Sequence, residues 1–122
     1  MADDVLAFLD DVRRAAAAIL DFARGKTFSN YASDEMLRSA IERKFEIIGE
    51  ALTRVRKTCP ELLHRIREQR TIISFRNILV HGYDRIDDRI VWGIIEEDLA
   101  SLLSDVEQVL DEGGKKDSPP GQ

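Results

Sequence analysis

Cysteine occurs once, at Cys59, which excludes an intrachain disulfide and any cysteine-built zinc site. Proline falls only at Pro60 and in the terminal pair Pro119-Pro120, so nothing before the tail breaks long helices except near residue 60. Glycine is sparse and does not cluster before the tail, and no G-x-x-x-x-G-K-[ST] phosphate loop is present. The two histidines, His64 and His81, stand too far apart for an H-x-x-x-H metal pair. No apolar run approaches the roughly 20 residues of a membrane span. The opening Met-Ala-Asp-Asp is acidic where a signal peptide would be basic. The expectation is a cytoplasmic protein with no membrane partner. Its 122 residues, 43% apolar and 34% charged, suit one folded domain that buries a core without a disulfide or metal staple.

Charge is also unevenly spread. The net charge is −5, yet residues 54–89 carry 9 basic and 5 acidic side chains, while residues 90–112 carry 7 acidic and no basic ones. The total excludes a general nucleic-acid coat but leaves room for a local phosphate-binding patch in the middle third. Arg54, Arg56, Arg65, Arg67 and Arg70 are the candidate residues of such a patch.

What is abundant is helix-forming: Ala, Leu, Ile, Glu and Arg, with no period-2 strand pattern. Val5, Leu9, Val12, Ala16, Ile19 and Ala23 predict a first helix over about 4–24, ended by Gly25. A polar connector holding Phe28 and Tyr31 follows. Leu37, Ile41, Phe45, Ile48, Leu52 and Val55 predict a second helix over about 34–57, capped by Ser33 or Asp34. Its further apolar set, Ala40, Ile47 and Ala51, calls for a second neighbour, from this chain or another. Pro60 suits the first turn of a short helix to about residue 68. Another helical stretch spans about 70–81. A last long helix starts at Asp87 or Asp88 and reaches about Asp111 through Val91, Ile94/Ile95, Leu99, Leu102, Val106 and Val109/Leu110. The predicted fold is all-α, an antiparallel bundle of four to five helices over 1–112, with a disordered tail over 113–122. The second helix's extra apolar face and the apolar 70–83 segment together predict a two-fold homodimer.

Few residues carry obvious chemistry. Glu46 and Glu50 lie one turn apart, but no Glu-x-x-His completes a di-metal set, so they read as a solvated face and no metal or other cofactor is expected. Cys59, beside Pro60 at a helix start, is where a thiol pKa could fall, although a bland cap cysteine is the commoner case. The segment Arg76-Asn77-Ile78-Leu79-Val80-His81-Gly82-Tyr83-Asp84 is different. It sets Arg, Asn, His and Tyr in strongly apolar surroundings, where polar groups need partners or a cavity. Asn77 and His81 share a helix face, and a long Arg76 side chain can reach across to it. Gly82 lets the chain turn so that Tyr83 can return over the helix end. A neutral imidazole can take a proton from a ribose 2′-OH or return one to the leaving oxygen, and a guanidinium can pair with phosphate oxygens as charge builds. Those are the parts for metal-free phosphodiester cleavage, with Arg76 and His81 catalytic.

This segment resembles the R-x4-H-x-Y signature of the HepT-like branch of the HEPN superfamily. Phe45-Glu46-Ile47-Ile48-Gly49-Glu50-Ala51 and Ile90-Val91-Trp92 are also similar to that family, and the likeness spans about residues 4–111. The resemblance implies a dimerising helical bundle whose two R-x4-H segments face one cleft, and metal-independent RNA cleavage by Arg76 and His81 with Asn77 as helper. It further implies the toxin of a type VII-like toxin–antitoxin pair. The partner is then a minimal nucleotidyltransferase of the MntA type, which adds AMP to the motif tyrosine, here Tyr83. Beside Arg76, an AMP phosphate would take the guanidinium meant for RNA. The alternative reading is a non-catalytic module of the same fold that docks a nucleotidyltransferase through its acidic C-terminal third.

Overall fold

The computed structural model describes residues 3–80 and 87–116, with backbone alone for 78–80 and 114–116. The described residues form six α-helices and one 3-10 helix, with no strand among them. They are α1 (Asp3–Ala23), α2 (Phe28–Ser33), α3 (Glu35–Thr58), the 3-10 helix (Pro60–Arg65), α4 (Gln69–Val80), α5 (Asp88–Glu97) and α6 (Leu99–Lys116).

The apolar stripes set the packing. Val5, Leu9, Val12, Ala16 and Ile19 of α1 are buried, as are Ile41, Phe45, Ile48, Leu52 and Val55 of α3. Along α5 and α6 the buried row is Val91, Ile94, Ile95, Leu99, Leu102, Val106 and Val109. These rows close one core in which α3 lies against both α1 and α4, and α6 lies against α1. The second apolar set of α3 is covered only in part by its own chain, and Ala40 stays half-buried. Ala51 is buried and Ile47 stays half-buried. Ile72, Ile73 and Phe75 of α4 are likewise buried in the same chain, so this part of the argument for a second subunit is met internally.

Three details depart from expectation. The connector after α1 is not merely polar. Gly25, at φ 73°, turns the chain, and Thr27 then caps α2 by a reciprocal box with Asn30 (2.9 and 3.1 Å). Tyr31 of α2 is wholly buried, tilted on Trp92 with ring centroids 5.5 Å apart. Second, the last long helix is two helices, interrupted at Asp98 (φ −110°). Glu96, Glu97 and Asp98 put three carboxylates where a helix carries negative charge if it ends and positive charge if it begins, which favours a fresh start at Leu99. The break lets α5 pack on α2 while α6 runs along α1. These two features raise the helix count above four to five. Third, α6 continues past Asp111 to Lys116. Elsewhere Asp34 caps α3 through Leu37 N–H (3.0 Å), and Asp87 caps α5 through Arg89 N–H (2.9 Å). No described helix is long and apolar enough to cross a membrane.

Candidate active site

The site is built where α4 meets the middle of α3. Phe75 of α4 packs edge-on against Phe45 of α3, centroids 5.1 Å apart, and fixes the register of the two helices. The next residue, Arg76, then lies over Gly49. A Cβ on Gly49 would fall 2.2 Å from Arg76 Cβ and 2.3 Å from its Cγ, so only a hydrogen fits between them. Past Gly49 the guanidinium reaches Glu50, with Nη2 donating to Oε2 at 2.8 Å. Nη1 makes a long contact of 3.4 Å to Asn77 Oδ1, and the buried Nε has no partner among the described residues. The arginine stem is thus held by packing, its head is oriented by one carboxylate, and part of its donor set is unspent.

Glu50 serves a second cation. Arg54 Nε donates to Oε1 at 3.2 Å, and the Arg54 guanidinium lies 5.7 Å from the Phe8 ring centroid. Arg76, Glu50, Arg54 and Phe8 form a continuous chain across α4, α3 and α1. Two guanidinium groups surround this carboxylate, and Asp11, which lines the same recess as Glu50 and Arg54, balances the second of them.

The other candidate arginines are used differently. Arg67 forks onto Asp105 of α6 (Nε–Oδ2 and Nη2–Oδ1, each 3.0 Å), and its backbone N–H adds a third bond at 3.0 Å. The Arg67 hydrogen bonds hold the Asp105 carboxyl below the usual carboxylate range. Arg65 pairs with Glu112 at 2.6 Å. Both clamp the segment after α3 to α6. Arg56 and Arg70 are exposed, with no ion pair among the described residues. His81 and Tyr83, the remaining motif residues, lie outside the described residues.

Two residues of the site lie outside the Arg76–Tyr83 segment: Glu50, which the sequence presents as part of a solvated face, and Gly49 before it. Gly49 is the lone glycine of a 24-residue helix, which is its signal; Glu50 has none, being one of several charged residues on the same helix. The Cys59 thiol does not behave as a helix-start thiolate: its hydrogen bond to the Glu61 carboxylate (3.3 Å) pushes it up, not down. Tyr31 is shielded, and burial pushes its phenol far above the ordinary value, with the Glu42 and Asp88 charges adding to this. Among the described residues, no group of three or more His, Cys, Asp or Glu side chains could hold a metal ion.

The family model described as Ribonuclease HepT-like matches residues 12–109. "Putative RNase MJ1380" of Methanocaldococcus jannaschii is 32% identical over 106 residues, covering 87% of this chain and 96% of that protein. "Probable ribonuclease HepT" of Thermococcus cleftensis is 30% identical over 105 residues, covering 84% and 92%. "Putative RNase MJ0127" of Methanocaldococcus jannaschii is 29% identical over 110 residues, covering 88% of each. No solved structure matches the chain.

Proposed function

Because the chain belongs to the HepT-like ribonuclease family, we propose that it is a metal-independent endoribonuclease that acts on RNA in the cytoplasm as the toxin of a toxin–antitoxin pair. The observation that carries this reading is the Arg76 guanidinium, braced on Gly49, aligned by Glu50 and left with a further N–H on each of its Nη atoms. Such a group clamps a phosphodiester and neutralises the charge that builds on its oxygens during cleavage. His81, five residues on, takes the proton from the ribose 2′-OH and returns one to the leaving oxygen. Asn77, already within reach of the guanidinium, helps to hold it. Because the acid/base and the clamp are both side chains, the reaction needs no metal.

Two finer elements complete the proposal. The functional unit is a homodimer in which two Arg76–His81 segments share a cleft. A nucleotidyltransferase antitoxin shuts the site by adding AMP to Tyr83, whose new phosphate competes for Arg76.

The test is cleavage of total RNA by the purified protein, with and without EDTA. Arg76→Ala and His81→Ala should each lose roughly 100-fold or more, the scale of a lost acid/base or charge-stabilising donor. Full activity in the His81→Ala protein overturns the mechanism. Light scattering that shows only a 13.9 kDa monomer at micromolar concentration overturns the shared cleft. An AMP adduct absent after co-expression with the antitoxin, or present in a Tyr83→Phe protein, overturns the switch.

A further inference from the structure

The surface beside the Arg76–Glu50 pair carries chemistry that bond cleavage alone does not use. A recess of about 200 Å³ opens between α1 and α3, lined by Phe8, Asp11, Ile47, Glu50, Ala51 and Arg54. Phe8, Ile47 and Ala51 make it apolar on one side. The Arg54 guanidinium lies over the Phe8 ring at 5.7 Å, so a flat cation already stands at its edge. Glu50 is the shared wall between recess and clamp: one oxygen faces Arg76 at 2.8 Å, the other Arg54 at 3.2 Å. The two guanidinium groups are balanced by Glu50 and Asp11, so the recess has no excess charge and the Arg54 guanidinium is its cationic contact. Asp11 stands exposed on the α1 side, with no ion pair among the described residues.

An apolar floor and a guanidinium at its edge are the requirements of one unstacked nucleotide: a face for the base and a donor fork for its phosphate. We propose, resting on the ribonuclease reading, that this recess is the subsite for the nucleotide flanking the bond to be cleaved. The base lies against Ile47 and Ala51, beside the Arg54 guanidinium that covers the Phe8 ring, and its phosphate sits on that guanidinium. Asp11 is an acceptor only, so it favours a base that presents an amino group and disfavours uracil, whose edge is mostly carbonyl. The RNA must be single-stranded at this position, because a paired base cannot leave its stack to enter.

The experiment uses the full-length protein and fluorescein-labelled 2′-O-methyl oligonucleotides, which bind without being cut. A dinucleotide with one phosphodiester reaches the clamp alone; a trinucleotide also fills the recess. The wild-type protein should bind the trinucleotide roughly tenfold or more tightly than the dinucleotide, the worth of one stacked base and one charge-assisted contact. That advantage should fall to about threefold or less in Arg54→Gln, which loses the charge, and in Ile47→Trp, which fills the recess. Asp11→Asn should narrow the discrimination against uracil at the flanking position. Circular dichroism monitors the fold. Should Ile47→Trp unfold, the exposed Arg54→Gln decides alone. An undiminished advantage in Arg54→Gln, or no advantage in the wild type, overturns the subsite. Binding that follows this pattern in a protein that cuts no 2′-hydroxyl RNA overturns the ribonuclease reading and leaves the subsite standing.

Discussion

Gly49 and Arg76 meet where α3 and α4 pack, and the absent side chain of the first makes room for the second. Any Cβ at Gly49 would fall 2.2 Å from the Arg76 Cβ, an atom fixed to its own backbone and unable to swing aside. The same contact that brings the helices together therefore sets the starting point of the guanidinium. It delivers that group to Glu50, the residue immediately after Gly49, at 2.8 Å. Packing and electrostatics are coupled here over two adjacent residues of one helix.

Gly49→Ala tests that coupling. The helices must part, or Arg76 must leave its place, and inserting a methyl group into a closed contact costs about 1–3 kcal/mol. Thermal unfolding should shift down, and RNA cleavage should fall with it because the guanidinium is displaced. A Tm equal to that of the parent would show that the close approach does not exist in solution.

Glu50 is expected to act through Arg76 rather than on RNA itself. Its side chain is 44% exposed, so the ion pair contributes little to stability, in the range of about 0–1 kcal/mol. Alignment of the clamp is another matter. Glu50→Ala should lower kcat/KM by about tenfold while Tm changes little, and Glu50→Gln, which keeps an acceptor, should lose less. Parallel Tm and activity scans separate the two effects. Equal activity in the alanine variant would remove Glu50 from the site.

Much of this architecture is legible in the amino-acid sequence because it rests on period 3.6. Val5, Leu9, Val12, Ala16 and Ile19 repeat at helical spacing and lie buried as that spacing requires. Pairings across the fold are not periodic and leave no such trace. Glu50 stands 26 residues from Arg76, and on its own helix it is indistinguishable from any solvated glutamate. Arg67 and Arg65 read as free cations because Asp105 and Glu112, which bind them, lie on a helix about forty residues on. The α2 helix is hidden for a local reason. Its capping box uses Asn30 in place of the usual Glu or Gln, and its buried anchor, Tyr31, sits among Ser and Asn. Arg76 itself was legible, because an arginine in so apolar a segment needs an explanation whatever its partner.

The Arg67–Asp105 fork gives the fold a predictable acid limb. Hydrogen bonds from Arg67 depress the folded-state pKa of Asp105 below its unfolded value. Its stabilisation is therefore complete above the ordinary carboxylate pKa, near 4, and is lost as pH falls through the depressed folded value. In Asp105→Asn the unfolding temperature should be lower at neutral pH, and the decline between about pH 4 and pH 2 should be shallower than in the parent. High salt should narrow the neutral-pH difference, because Arg67 is 65% exposed. Identical acid limbs in the two proteins would show that the fork contributes nothing.

Tyr31 sets the corresponding alkaline limb. Its ring fills the space beneath α5 against Trp92, yet its buried hydroxyl has no hydrogen-bond partner among the described residues. A buried hydroxyl without a partner costs about 1–3 kcal/mol of desolvation, so Tyr31→Phe keeps the packing and removes the cost. The variant should unfold at the same or a higher temperature than the parent. The pH dependence follows from the direction of the shift. Burial raises the folded-state pKa, with the Glu42 and Asp88 charges adding to it, so the protonated phenol is favoured by folding. That preference stabilises fully below the unfolded value near 10 and is lost as pH rises above it toward the folded value. The parent should therefore lose more stability between about pH 9 and pH 11 than Tyr31→Phe does. The same shielding removes Tyr31 as an acceptor for AMP in the folded protein, because a transferase must reach the phenol oxygen and the side chain is wholly buried. An adduct on Tyr31, or a fall in Tm on losing its hydroxyl, would mean that this oxygen has a partner or an opening.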